Sequence, residues 1–144
     1  GESFSPLPGI QVRAIAVPHR QEYSDTVAFR IRGPHRTVLF VPDIDSWERQ
    51  PGLLEQLVED IDVAYLDATW YDGRELPGRD MSEIPHPTMV HTMELLAEQA
   101  ASNPGRFRFI HLNHTNPALL DQALQEQIEA RGFRIAQREE RVGL

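Results

Sequence analysis

Two uninterrupted apolar runs, Val38-Leu39-Phe40-Val41 and Val63-Ala64-Tyr65-Leu66, constrain this chain more than any other feature. Successive side chains of a strand point to opposite faces, so an unbroken apolar run marks a strand buried on both sides, the habit of parallel sheets. Between the runs, Pro51 opens a segment in which Leu53, Leu54, Leu57, Val58 and Ile61 recur at helical spacing. Strand, helix and strand joined by short links form a βαβ unit, so the two strands are expected to run parallel.

The pattern extends in both directions. Residues 1–9 are rich in Pro and Ser and read as a lead-in. Residues 10–17 are apolar with partial alternation, and 26–32 alternate through Val27, Phe29 and Ile31; both are expected strands. Gly33-Pro34-His35-Arg36 is a turn into the first buried run. Downstream, 67–85 is a long polar loop, the kind that is usually functional or mobile. Pro87 is expected to begin a helix with the stripe Met89, Val90, Met93, Leu96, Ala97 and Ala100, and 107–112 to form a third parallel strand. Asn116 followed by Pro117 is an N-cap with proline at the first helical position. That helix should face inward through Leu119, Leu120, Ala123, Leu124 and Ile128 and stop at Gly132. Residues 133–137 are the next strand and 138–144 a final short one. The fold class is α/β: one mixed sheet with about three helices on one face, in a single domain over 1–144.

A length of 144 residues fits one domain. The net charge is −8 and no segment carries a basic run, which argues against a phosphate-tracking surface and hence against nucleic acid. With no cysteine, disulfides and thiolate metal sites are excluded, and a cytoplasmic location is expected. No apolar run approaches the roughly 18 residues needed to span a membrane.

Polar residues collect where strands end. His19 comes two residues after Val17, Asp43 two after Val41, and Asp67 directly after Leu66; His111 follows Ile110, with His114 three further on. The carboxyl ends of parallel strands share one edge of the sheet, where open α/β sheets bind ligands. Histidines and aspartates gathered there suit a divalent metal. Each has a plainer reading alone: Asp43 and Asp45 as turn formers, Asp67 as a partner for backbone donors, His86-Pro87 as a helix start, and Trp47, Trp70 and Tyr71 as packing. His35 sits in a turn and is assigned no role.

The order Ala16-Val17-Pro18-His19, Phe40-Val41-Pro42-Asp43, Val63-Ala64-Tyr65-Leu66-Asp67-Ala68-Thr69-Trp70, Ile84-Pro85-His86-Pro87 and Phe109-Ile110-His111-Leu112-Asn113-His114-Thr115-Asn116-Pro117 resembles the second half of metallo-β-lactamase-fold hydrolases. Within them the resemblance is greatest to the coenzyme pyrroloquinoline quinone synthesis protein B group, which has a similar His-x-Asn-x-Thr-Asn-Pro segment. The phosphonate-pathway cyclic phosphodiesterase and the tRNA 3′-processing endonuclease share the layout. The resemblance covers roughly residues 10–144. It implies half of an αββα sandwich, with the family's His-x-His-x-Asp-His motif in an N-terminal half absent from this chain. It further implies that His19 and His111 are metal ligands, that Asp43 bridges two metals, and that His86 assists the leaving group. Asp45 is the rival for the bridge and His114 for the last histidine. The implied metal is zinc, two ions in the complete fold and one or none in this chain alone, with manganese or iron as other candidates. The implied activity is hydrolysis of an ester or phosphodiester-like bond in a small-molecule substrate, which this fragment alone would not sustain. The implied partner is the missing half or a second copy of the chain. The competing expectation is a non-catalytic half-fold, or an accessory protein of cofactor biosynthesis, that pairs with another chain.

Overall fold

The structure, a computed structural model, describes residues 2–20, 24–80 and 84–144. Seven strands form one sheet whose spatial order follows the chain: β1 (Ser3–Leu7), β2 (Ile10–Ala16), β3 (Val27–Arg32), β4 (Thr37–Val41), β5 (Val63–Asp67), β6 (Phe107–Ile110) and β7 (Phe133–Ile135). β1 to β4 pair antiparallel, and β4 to β7 pair parallel. The βαβ expectation therefore holds at β4 and β5, with α1 (Leu53–Val58) between them. Crossovers carrying α2 (Met89–Leu95), α3 (Ala97–Ser102) and α4 (Gln122–Ala130) follow in the same direction. Parallel strands added always on one side, with right-handed crossovers, bring every helix to one face.

That face holds the core. Leu39, Ala64, Phe107 and Phe133 align in one row, and Val41, Leu66, Phe109 and Ile135 in the next. All are fully or nearly fully buried except the half-buried Ile135. Leu53, Leu54, Leu57 and Val58 of α1, Met89 and Met93 of α2, Ala100 of α3 and Ile128 of α4 close over them. The phenylalanines interlock, the Phe109 and Phe133 rings stacking at 5.5 Å.

The opposite face is also apolar but carries no helix. Val12, Ile31, Val38 and Val63 form one row across it; Ala14, Phe29, Phe40 and Tyr65 form another. The C-terminal segment covers part of this surface. Arg108 reaches Glu140 at 2.9 Å and lies over the Tyr65 ring, and the chain end, Leu144, rests against Gly33.

Several sequence expectations change. Residues 3–7 are not a lead-in but an edge strand, every residue exposed, paired to β2. The helix expected from Pro51 starts after Gly52, whose φ of 80° is non-helical. The helix expected from Pro87 starts after Thr88, whose hydroxyl accepts from His91 N, and it breaks at Leu96 into α2 and α3. Asn116 is an N-cap, but of a 3-10 turn, Pro117–Leu119; Asp121 caps α4 separately. This shifts the helical phase, so Leu119 (41% exposed), Leu120 (92%) and Ala123 face solvent, while Ile128 remains inside. No strand forms over 138–144. Trp47 is core, its Nε1 donating to Thr92. Part of the long loop, residues 81–83, and Gly1 of the lead-in lie outside the described residues.

Candidate functional site

The carboxyl ends of β4, β5 and β6 converge as parallel pairing requires. Asp43 follows β4, Asp67 ends β5 and His111 follows β6; His19 follows β2, which lies beyond β3 and runs in the same direction as β4. One ligand atom each from Asp43, Asp67, His86 and His111 lies within 4.8 Å of the others. His19 Nε2 approaches Asp43 Oδ2 at 3.4 Å and Asp45 Oδ1 at 4.0 Å. His114 stands outside the group, exposed and beside its neighbour Asn113.

His86 enters the group from the long loop rather than from a strand end. Its backbone N–H donates to Asp45 O at 2.7 Å, and a bridge between Trp70 and Thr88 holds the loop closed beneath it. Its Nδ1 lies 2.7 Å from Asp67 Oδ2 and 3.4 Å from Asp43 Oδ1. The His86 and His111 rings meet edge to face at 5.4 Å. Both residues have left-handed backbone, φ 80° and 61°. Such conformations cost side-chain-bearing residues of order 1–3 kcal/mol and persist where the surroundings over-determine them, commonly at functional sites.

Asp67 and Asp43 differ in what surrounds their oxygens. Asp67 is fully buried and saturated: Oδ2 accepts from Ile44 N and faces His86, while Oδ1 accepts from Thr69 N and Thr69 Oγ1. It is a holder, fixing the His86 ring through Nδ1 and leaving Nε2 free to act. Buried Asp43 Oδ1, and both oxygens of the 2%-exposed Asp45, have no hydrogen bond. Asp45 instead has a charge partner in Arg49, 2.8 Å away. Buried carboxylate oxygens without donors are costly, and a cation is what such oxygens accommodate. The imidazole and carboxylate donor set suits zinc and also manganese or iron.

Burial pulls the His86 pKa down, but the hydrogen bond to Asp67, its charge, and those of Asp43 and Asp45 outweigh it, so the net shift is upward. Beside the site, Ser46, Glu48, Ile84, Thr88 and His91 line a cavity of about 340 Å³ onto which His86 opens.

Sequence reading missed two supports. Thr69 is nearly buried, and its hydroxyl donates to Asp67 and lies within reach of the His111 carbonyl. Asn116, read only as a cap, also donates from Nδ2 to the carbonyls of Ala68 and Thr69, tying the loop after β6 to the end of β5. Its deep burial is a tertiary fact that spacing does not carry.

The sheet, its one-sided helices and this strand-end cluster agree with the family match: residues 1–112 fit the β-lactamase superfamily domain, and the chain belongs to that family. Its fold is a metallo-β-lactamase fold of the branch typified by coenzyme PQQ synthesis protein B. The relative of that name from Rhizobium meliloti (strain 1021) is 27% identical over 158 residues, covering 93% of this chain and 49% of the relative. The one from Methylobacterium sp. (strain 4-46) is 27% identical, covering 94% and 50%. Among solved structures, Zn(2+)-bound PqqB from Methylobacterium extorquens superposes with a TM-score of 0.74 at 20% identity, over 99% of this chain and 53% of that one. The metallo-β-lactamase fold protein YhfI from Bacillus subtilis superposes with a TM-score of 0.61 at 16% identity. The chain thus spans about half the length of the curated relatives it matches. No helix among the described residues is long and apolar enough to cross a membrane.

Proposed function

We propose that this chain is the C-terminal half of a metal-dependent hydrolase acting on an ester or phosphodiester-like bond in a small molecule. The observation that carries the reading is Asp43 Oδ1, buried, without a hydrogen bond, and set among His19, His86 and His111. His19, Asp43 and His111 would hold zinc, with Asp45 as an additional carboxylate. Bound zinc supplies Lewis-acid polarisation of the scissile group. The chain's own residues then have separate tasks. Asp67 holds the His86 ring through Nδ1, and His86, its pKa raised, carries a proton at Nε2 for the leaving oxygen.

The remaining ligands would come from a preceding half carrying a His-x-His-x-Asp-His motif, packed on the helix-free face, where the row through Phe29, Phe40 and Tyr65 stays partly exposed. The half-length match to the relatives supports this division. A non-catalytic role in cofactor synthesis is the second reading, favoured by the relatives' common name.

Zinc titration by calorimetry tests the ligand set. His111→Ala and Asp43→Ala should each weaken zinc at least tenfold, and His114→Ala should leave it unchanged. Equal affinity in His111→Ala and the parent would refute the assignment. Turnover of a generic phosphodiester should then require the other half, and His86→Ala should slow turnover more than it weakens metal binding. A chain that binds zinc as described, yet turns over no ester or phosphodiester with both halves present, would favour the second reading.

A further inference from the structure

At the other end of the sheet from the histidine cluster lies a second polar cavity, about 590 Å³, lined by Ser3, Gln11, Arg13, Arg30, Arg32, Thr37 and Asp60. Strand register explains why three arginines meet there. Arg13 is directly opposite Arg30, with Ser3 beyond it on β1; Gln11 is directly opposite Arg32, which pairs in turn with Thr37. All lie on the helix-bearing face; α1 reaches β3 through Arg30, and the cavity opens where α1 ends.

Like charges directly opposite on neighbouring strands repel and destabilise the sheet. Arg30 is partly compensated: its Nη2 donates to the carbonyls of Gln56 and Leu57 at 3.1 and 2.9 Å, at the negative end of α1. The side chains of Arg13 and Arg32 have no hydrogen bond or ion pair among the described residues. Asp60, after α1, supplies a single negative charge at the rim. Elsewhere in this chain of 22 acidic and 14 basic residues, Arg49, Arg74 and Arg108 have carboxylate partners. Every one of its basic residues is arginine. A guanidinium presents paired donors that match the oxygens of phosphate or carboxylate, which a lysine ammonium does not.

We infer that this cavity binds a small polyanion carrying at least two phosphate or carboxylate groups. Cross-strand neighbours sit about 5 Å apart and alternate residues on one strand about 7 Å apart, so the three arginine side chains start from one compact patch and line one cavity. One anionic group would bridge Arg13 and Arg30 and a second would engage Arg32, with Thr37, Ser3 and Gln11 offering neutral donors. The volume is that of a small-molecule site. The chain's overall negative charge repels anions at long range, so binding depends on this local convergence and should be strongly salt-dependent.

The test uses inorganic pyrophosphate and citrate as probes, by calorimetry on the metal-free protein at low and at physiological salt. One saturable site is expected for at least one probe. Arg13→Gln and Arg32→Gln should each weaken it about tenfold, and the double variant about a hundredfold. Arg131→Gln and Arg138→Gln, near the β7 edge of the sheet, should leave it unchanged. Asp43→Ala should also leave it unchanged, which separates this site from the histidine cluster whatever becomes of the hydrolase reading. Because both arginines are exposed and mutually repelling, unliganded Arg13→Gln and Arg32→Gln should melt at or above the parent temperature. The inference is overturned by absence of saturable binding, by equal losses in the Arg131 and Arg138 variants, or by destabilisation of the unliganded Arg13 and Arg32 variants.

Discussion

Replacing Asp67 by asparagine changes one atom in the middle of the candidate site, and the structure sets the cost. The parent carboxylate accepts at both oxygens: Ile44 N at 3.1 Å and His86 Nδ1 at 2.7 Å on one, Thr69 N at 3.0 Å and Thr69 Oγ1 at 2.8 Å on the other. An amide offers one acceptor oxygen and one NH₂. Whichever way it turns, a buried backbone N–H, of Ile44 or of Thr69, faces a donor. An unpaired buried N–H costs about 1–3 kcal/mol, and loss of a charged acceptor for His86 adds about 1–2 kcal/mol, discounted because the imidazole is 17% exposed. The sum, about 3 kcal/mol, corresponds to a melting temperature lower by roughly 10 °C in a chain of this size. The His86 contribution has a definite sign with pH. Its folded pKa is raised above 6.5, so its stabilisation is complete below 6.5 and disappears as pH rises through the folded value. The gap between parent and Asp67→Asn should therefore be wider at pH 6 than at pH 9, with the unpaired N–H cost persisting at both. Calorimetric melting of the metal-free proteins at the two pH values measures this. A gap below about 1 kcal/mol at both pH values would refute the account of Asp67 as a buried holder. Unchanged stability with zinc binding abolished would make it a direct ligand.

Gly132→Ala should cost at least about 3 kcal/mol in urea unfolding, because φ is +86° and the new Cβ would run into the Ala100 carbonyl, whereas Gly143→Ala, with open space around it, should be neutral. Phe109→Ala removes a fully buried ring stacked on Phe133 and should cost about 3–5 kcal/mol with little change in the urea slope; a loss below about 1 kcal/mol would mean that the helical face is not the core. Burial pushes the Glu140 pKa up, but hydrogen bonds from Tyr65, Gln137 N and Arg108 outweigh it and the net shift is downward. Its hold on the C-terminal segment is thus present above pH 4.5 and lost as pH falls through the lower folded value, so acid should expose the apolar sheet face and raise binding of a hydrophobic dye. Glu140→Gln should bind more dye than the parent already at pH 7, and equal binding would show that the segment does not cover that face.

What could be read from the sequence was whatever rests on local periodicity. Val38-Val41 and Val63-Leu66 announced the parallel strands because their apolar runs are unbroken, although Phe40 is exposed and Tyr65 half-buried on the face without helices, and the ends of those strands then placed Asp43, Asp67 and His111 on one edge. β1 was invisible for the converse reason: an edge strand exposed at every residue has no burial pattern to leave. The break at Leu96 was hidden because the stripe from Met89 to Ala100 continues through it, both short helices covering the same sheet. At the next helix a 3-10 turn consumed three residues and shifted the phase, which sent Leu119 and Leu120 outward. In the site the missing information was pairing between segments distant in the chain. His86 was singled out by resemblance, but its proximity to Asp67 depends on a backbone bond to Asp45 and on the Trp70–Thr88 bridge, 19 residues of chain separating the two side chains. The arginine cavity makes the same point from the other side. No segment carries a basic run, yet pairing β2 with β3 in register sets Arg13 against Arg30 and brings Arg32 alongside. A charge cluster built across strands appears only once the register is known, because a slip of one residue between β2 and β3 would put Arg13 on the opposite face from Arg30 and Arg32.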